Sequence, residues 1–250
     1  MSDGHRERSG LEPYEPLNVL KPVGPDIWIV DGPEITLAWI GLKLPFTTRM
    51  TVVRLDNGDL ILHSPVEYSP ELRSTLEALG PIRFLIAPNS LHYWWVPDWK
   101  AQLPEAMVLA VPGLEKRAKR PIQVDQPLID RKSPWPDEIG LLVVSGDVLT
   151  EAIFFHRSSQ TLILTDLIEN FEPGRIHSWF FRLLVRLAGA ADPDGKAPID
   201  MQLSFFRSSQ ALRKAVRQMI VWAPERIIIA HGRWYQQNGV KELKRAFRWV

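Results

Sequence analysis

The sequence predicts an α/β protein made of two similar units packed sheet against sheet, with helices on the outside. Three observations lead there. Short apolar runs bounded by turn residues alternate with stretches of helical spacing along most of the 250 residues. The order of these signals repeats. A hairpin ending in Leu60-Ile-Leu-His-Ser64, a helix and Gly80-Pro-Ile-Arg-Phe-Leu-Ile-Ala-Pro-Asn89 are matched by a hairpin ending in Leu162-Ile-Leu-Thr-Asp166, helices and Ala223-Pro-Glu-Arg-Ile-Ile-Ile-Ala-His-Gly232. The chain is also long enough to bury one large core, which favours one domain over two small ones.

Residues 1–20 are polar, with Gly4, Gly10, Pro13 and Pro16, and read as a flexible tail ahead of one domain over 21–250. Ile27–Val30 reads as a short strand ended by Asp31-Gly32, and Glu34–Leu44 as a second strand. Met50–Leu55 and Leu60–Leu62 flank Asp56-Asn57-Gly58-Asp59, where Asn-Gly suits the positive φ angles of a tight hairpin. Ser69 as cap, Pro70 in the first turn and Leu72, Leu76 and Leu79 at helical spacing give a helix that Gly80 closes. Strands are expected at Arg83–Ala87, Ala106–Val111 and Leu141–Val144, with a short helix around Trp99 and a connection over 112–140. Glu151–Phe155 and Thr161–Thr165 form the second hairpin. Helical segments over about 174–188 and Ser209–Trp222, the strand Arg226–Ala230 and a last amphipathic helix with Val240, Leu243, Phe247 and Val250 complete the chain.

Composition excludes several functions. The 30 basic residues balance 29 acidic ones, so nothing electrostatic points to nucleic acid or an anionic membrane. With no cysteine, disulfides, thiolate ligands and a cysteine nucleophile are impossible. No apolar run is long enough to span a membrane. The opening Met1–Arg8 is charged where a signal peptide is apolar, so a cytoplasmic protein is expected. The aromatic segment Ile176–Leu187, with Arg182 and Arg186, has some features of an interfacial helix. Two charges make a thin basic face, so the preferred reading is a helix covering the sandwich edge with both arginines in solvent, and peripheral membrane contact is not expected. No Gly-rich phosphate loop or Gly-x-Ser-x-Gly elbow occurs.

In such a pairing of units, loops at one sheet edge gather His63, Ser64, Asn89, His92, Asp166 and His231. The segments Leu62-His-Ser-Pro65, Ala87–His92, Phe154–Arg157, Leu164–Leu167 and Ala230-His-Gly232 resemble the metallo-β-lactamase superfamily, and more narrowly an uncharacterised branch, a domain of unknown function. The likeness covers roughly residues 20–250. It implies a four-layer αβ/βα sandwich with metals at that edge. The superfamily's His-x-His-x-Asp-His follows the strand matched here by Arg83–Ala87. That register puts Pro88 and Ser90 at the first two histidines, His92 at the aspartate and Tyr93 at the last histidine, with Asp147 near the next ligand. Asp166 matches the bridging aspartate and His231 the final histidine. The usual two-zinc site is therefore not expected, and the resemblance leaves one zinc or another divalent transition metal, or none.

Asp166 and His231 are the candidate catalytic residues, and His63, His92, Asp166 and His231 the candidate ligands of one nitrogen-and-oxygen site. Each also has a plainer role: Asp166 as a helix cap, His63 as a turn residue, His92 as a neutral core histidine and His231 as a hydrogen-bonded strand end. His156, at the second hairpin turn, reads as a surface residue. Trp94, Trp95 and Trp99 read as core packing ahead of pocket lining. The expected function is a metallo-β-lactamase-like hydrolase relative acting on a small molecule. The alternative is a metal-free ligand-binding protein or pseudoenzyme of the same fold.

Overall fold

The structure is a computed structural model that describes residues 10–39 and 42–250. Among these, seven strands form one sheet: β1 (Leu20–Gly24), β2 (Ile27–Trp39), β3 (Leu42–Arg54), β4 (Leu60–His63), β5 (Ile82–Ala87), β6 (Met107–Ala110) and β7 (Gln126–Pro127), neighbours in that order. The first four pair antiparallel, while β4 to β7 pair parallel. Parallel neighbours need a crossover, and helices α1 (Pro70–Glu77) and α2 (Val96–Gln102) lie in the first two, with α3 (Leu114–Arg117) before β7. The second sheet runs β11-β10-β9-β8, from β8 (Ile139–Ser145), β9 (Thr150–His156), β10 (Thr161–Ile163) and β11 (Arg226–Ile228). Its parallel pair β10–β11 is bridged by α4 (Trp179–Ala188), α5 (Ile199–Ser204) and α6 (Ser209–Val221), and α7 (Gly239–Ala246) follows.

Strand alternation shows how the layers stack. In β8, β9 and β10, Leu141, Phe154 and Ile163 join the core shared with the first sheet, while Leu142, Phe155 and Leu162 pack outward with Leu212, Met219 and Leu243 of α6 and α7. On the other flank, Leu72 and Leu76 of α1 and Trp99 of α2 close over the first sheet. The order is helix, sheet, sheet, helix. Strand β9 is buried along its whole length because both its faces are covered.

The repeat of hairpin, helix and strand stands in the structure as β3–β4–α1–β5 and β9–β10–helices–β11. Helix α1 starts as its residues dictate, the Ser69 hydroxyl accepting from the Leu72 amide at 3.1 Å. Gly80 is needed for a different reason from closing the helix. A Cβ there would collide with the Gly58 carbonyl, so the residue lets two turns touch.

Several expectations are corrected. The two strands read at Ile27–Val30 and Glu34–Leu44 are instead one strand, β2, with an irregularity between Gly32 and Ile35, followed by the separate β3. Asp31-Gly32 fails to end β2 because Asp31 is buried against Arg49 of the neighbouring strand. In the β3–β4 hairpin only Gly58 has positive φ, and Leu55 and Asp59 close a longer loop than the tight turn expected from Asn-Gly. From residue 10 on, the stretch read as a tail is packed: Leu11 is buried and the Tyr14 hydroxyl donates to Glu172 at 2.6 Å. Residues 1–9 lie outside the described residues. His156 is buried rather than at the surface, since the Ser158 and Ser159 hydroxyls meet both its ring nitrogens. Helix α4 does cover an edge through Phe181 and Val185, but only Arg186 is exposed. Arg182 folds back onto the Ile176 carbonyl, and Trp179, Phe180, Leu183 and Leu187 face outward. No helix of the described residues is long and apolar enough to cross a membrane.

Candidate functional site

Three loops, each following a strand of a parallel pair, meet at the edge between the sheets. The first follows β5. There Asn89 is buried and its side-chain oxygen accepts from the amides of Leu91 and His92, both at 2.8 Å, which folds the turn presenting His92. Its side-chain nitrogen donates across the sheets to Thr165 Oγ1 at 2.9 Å and Asp166 Oδ2 at 2.6 Å. One amide thereby sets both the histidine turn and the carboxylate. The second loop follows β10 and carries Asp166, whose amide and that of Thr165 donate to the two oxygens of buried Glu151, at 2.9 and 2.8 Å. Asp166 is thus a convergent side chain and not a helix cap. Burial, with the Asp166 charge beside it, pushes the Glu151 carboxyl up to about 7.

The third loop follows β11 and carries His231. Gly232 has φ +88°, and a Cβ there would strike the Asn170 carbonyl, so the His-Gly pair is a backbone requirement. The His231 ring is held between Phe46, edge-on at 5.0 Å, and Phe171, stacked at 6.3 Å. Its Nδ1 lies 2.7 Å from the Thr47 carbonyl, which can only accept. Nδ1 therefore carries the proton, and Nε2 presents a lone pair.

That lone pair faces two more polar atoms. His231 Nε2, His92 Nε2 and Asp166 Oδ1 form a triangle with edges of 3.2 Å (His92–His231), 3.2 Å (His92–Asp166) and 3.3 Å (His231–Asp166). The far nitrogen of His92 meets Ser64 Oγ at 2.8 Å, and a hydroxyl serves as donor or acceptor. Ser64 holds φ +55° to reach it, an uncommon backbone for a residue with a side chain. His231 Nε2 and Asp166 Oδ1 are both acceptors, so a proton on His92 Nε2 or a cation belongs between the three atoms. Burial opposes charge on His92, but the Asp166 carboxylate outweighs it and raises its pKa. Burial prevails on His231 and lowers its pKa. On Asp166 burial is outweighed by the two imidazoles together, which hold the carboxyl far below its ordinary range.

Of the four ligands expected, His92, Asp166 and His231 gather and His63 does not. The His63 ring packs edge-on against Phe154 at 5.0 Å, and its buried Nε2 has no hydrogen-bond partner among the described residues. Asp147 is exposed and outside the cluster. Asn89 was read only as a loop residue and Glu151 only as a strand residue; the signal for Glu151 was a lone carboxylate opening an apolar strand. Trp99 is core, donating to the Val66 carbonyl, whereas Trp94 and Trp95 line a cavity beside the cluster.

His63 carries a pH prediction. Burial, and the charge of His92, push its imidazole down to about 3. The unfolded chain takes up that proton near pH 6.5, so stability from a neutral His63 is complete above that value and falls with pH below it. Between pH 7 and pH 4.5 the loss from this one group is about 3 kcal/mol, at roughly 1.4 kcal/mol per pH unit. Urea unfolding of H63L should show a pH dependence flatter by that amount. Parallel curves for the two proteins would refute it.

The family model for a domain of unknown function, DUF4336, matches residues 26–175, more than half of the chain. The chain belongs to this family. No match was found among curated proteins. The DUF4336 chain is similar in structure to a metallo-β-lactamase from Hirschia baltica, with 12% identity and a TM-score of 0.60 over 91% of this chain and 95% of that one. It is likewise similar to the FIM-1 metallo-β-lactamase of Pseudomonas aeruginosa in its mono-zinc form, with 11% identity and a TM-score of 0.59 over 91% and 92%. Likeness at such identity carries the fold: the DUF4336 chain is a metallo-β-lactamase-type sandwich.

Proposed function

We propose that this DUF4336 protein is a hydrolase of small molecules that works with one divalent transition metal, zinc foremost, held by His92, Asp166 and His231. The triangle of His92 Nε2, Asp166 Oδ1 and His231 Nε2 carries the reading. Its 3.2–3.3 Å edges match the spacing of three ligands around one tetrahedral ion with bonds of about 2.0–2.1 Å. Each ligand is also tied back, to Ser64, Asn89 and Thr47, as metal ligands ordinarily are. Two histidines and one carboxylate are a known zinc-hydrolase donor set. Bound there, the ion would supply Lewis acidity toward a carbonyl or phosphoryl oxygen.

The chain's own residues divide the remaining work. Asp166 contributes the negative charge that the two neutral imidazoles lack. Thr47 keeps the His231 lone pair turned inward. Glu151 and Asn89 lock Asp166 from behind, away from the cavity that His92 and His231 line. Pro88, Ser90 and Tyr93 add no imidazole or carboxylate, so a second metal has no ligand set of the superfamily's kind.

Elemental analysis of protein purified without chelator or affinity-tag metal should find one equivalent per chain that survives dialysis. Esters, thioesters, lactams and phosphodiesters, screened with zinc, manganese or iron added in turn, should then reveal metal-dependent hydrolysis. Two retained equivalents would overturn the single site. No retained metal, with no activity under any metal, would leave the metal-free binding protein, in which a proton on His92 serves the triangle instead.

A further inference from the structure

We propose that the cavity beside the cluster binds an organic anion with an apolar body, held by its tail against Leu91 and Trp94 and by its charge at Arg117 and Lys119. The cavity measures about 410 Å³ and is lined by His92 and His231 at one wall, so whatever fills it meets the cluster. This volume suits a small molecule. Its other walls are largely apolar, with Ile35 and Leu37 of β2 facing Leu91, Trp94 and Trp95. Leu91 and Trp94 are exposed, at 42% and 44%, so apolar surface is left open at the mouth where an apolar ligand would cover it.

The charges on this cavity are of one sign. Arg117 and Lys119 line it, and among the described residues no carboxylate does. A third cation nearby is used: Arg120 is fixed bidentately to Asp98, donates to the Trp94 carbonyl and lies over the Trp94 ring. Arg117 and Lys119 are exposed and, among the described residues, neither side chain has an ion pair or hydrogen bond. They are held near the aromatic wall by backbone, since the Tyr93 hydroxyl accepts from the amides of Lys119 and Arg120 at 2.6 and 2.9 Å. Buried Tyr93 thus ties the basic loop after α3 to the loop that presents His92. Two free cations beside open indole surface select against neutral and cationic amphiphiles alike.

The proposal rests on the cluster being the reacting centre only for the ligand's role as substrate; binding itself is testable without metal. Decanoate, decyl phosphate, decanol and decyltrimethylammonium should be titrated by calorimetry into metal-loaded and into chelator-treated protein. The two anions should bind one site at least about tenfold more tightly than the alcohol or the cation, in both preparations, and more weakly as salt rises. A preference for decanoate or for decyl phosphate would identify the headgroup. The double variant R117Q/K119Q, at exposed positions, should lose that preference while keeping its affinity for decanol and its circular dichroism. Equal binding of all four probes, binding of none, or an anion preference that survives the double variant would overturn it. Anion binding confined to metal-loaded protein would also overturn it, by placing the charge on the ion. Anion-selective binding in protein that retains no metal as purified and shows no hydrolysis with any added metal would leave this inference standing and remove the hydrolase reading.

Discussion

Replacing Arg49 by methionine should destabilise the fold by about 3 kcal/mol, the low end of the range for breaking a buried ion pair from one side. Arg49 is buried on β3, and its Nε donates to Asp31 Oδ1 at 2.7 Å. Its Nη1 donates to the Ile229 and Gly232 carbonyls at 2.8 and 2.9 Å. Methionine keeps much of the apolar bulk and provides none of these donors. Asp31 would retain Lys21 at 2.8 Å, which limits the loss, but both carbonyls would stay buried and unpaired. Those carbonyls flank His231, so R49M should also loosen the cluster of His92, Asp166 and His231. R49K keeps the charge without the planar fork and should recover only part of the loss. Urea midpoints at pH 7 measure both variants, and a loss below about 1 kcal/mol for R49M would show that the guanidinium is not the link between the sheets.

The same ion pair marks where the sequence stops being readable. The repeat of hairpin, helix and strand was legible because it is written in local signals: a capping serine, a proline in the first turn, leucines at helical spacing. The meeting of His92, Asp166 and His231 was legible too, because loops after corresponding strands of two packed units converge. Asp31-Gly32, by contrast, looks like a strand end, and Arg49 looks like any polar residue on an alternating strand. Only their pairing buries both, and pairing across 18 residues leaves no local trace. His156 misled for a related reason, since its burial depends on two serine hydroxyls placed to satisfy it. His63 and His92 are each a histidine near a strand end in sequence. Which one turns its ring to Asp166 is decided by Asn89, whose single amide folds one turn and reaches the other sheet.

Substituting Asp166 by asparagine should weaken metal binding by more than about a hundredfold, since losing a partner behind a ligand already costs about 10–100-fold. The direction follows from Asn89, which donates to Oδ2 at 2.6 Å. In D166N the new carbonyl oxygen must take that position, because an amide nitrogen there would face another donor. The amide nitrogen then turns toward His92 and His231, where Oδ1 now accepts or ligates. A donor placed among two imidazole lone pairs completes the triangle with hydrogen bonds and leaves no room for a cation. The chelator-treated variant should accordingly unfold within about 1 kcal/mol of the chelator-treated parent, since buried groups stay paired. H231A is a poorer probe because it also strands the Thr47 carbonyl. Competition with a chromophoric chelator gives the affinities, and any hydrolysis found in the parent should fall with metal occupancy. Unchanged zinc affinity in D166N would mean that the ion, if bound, does not use this carboxylate. A large loss of stability in the metal-free variant would mean instead that Asp166 holds the two sheets together through its charge, with or without a metal.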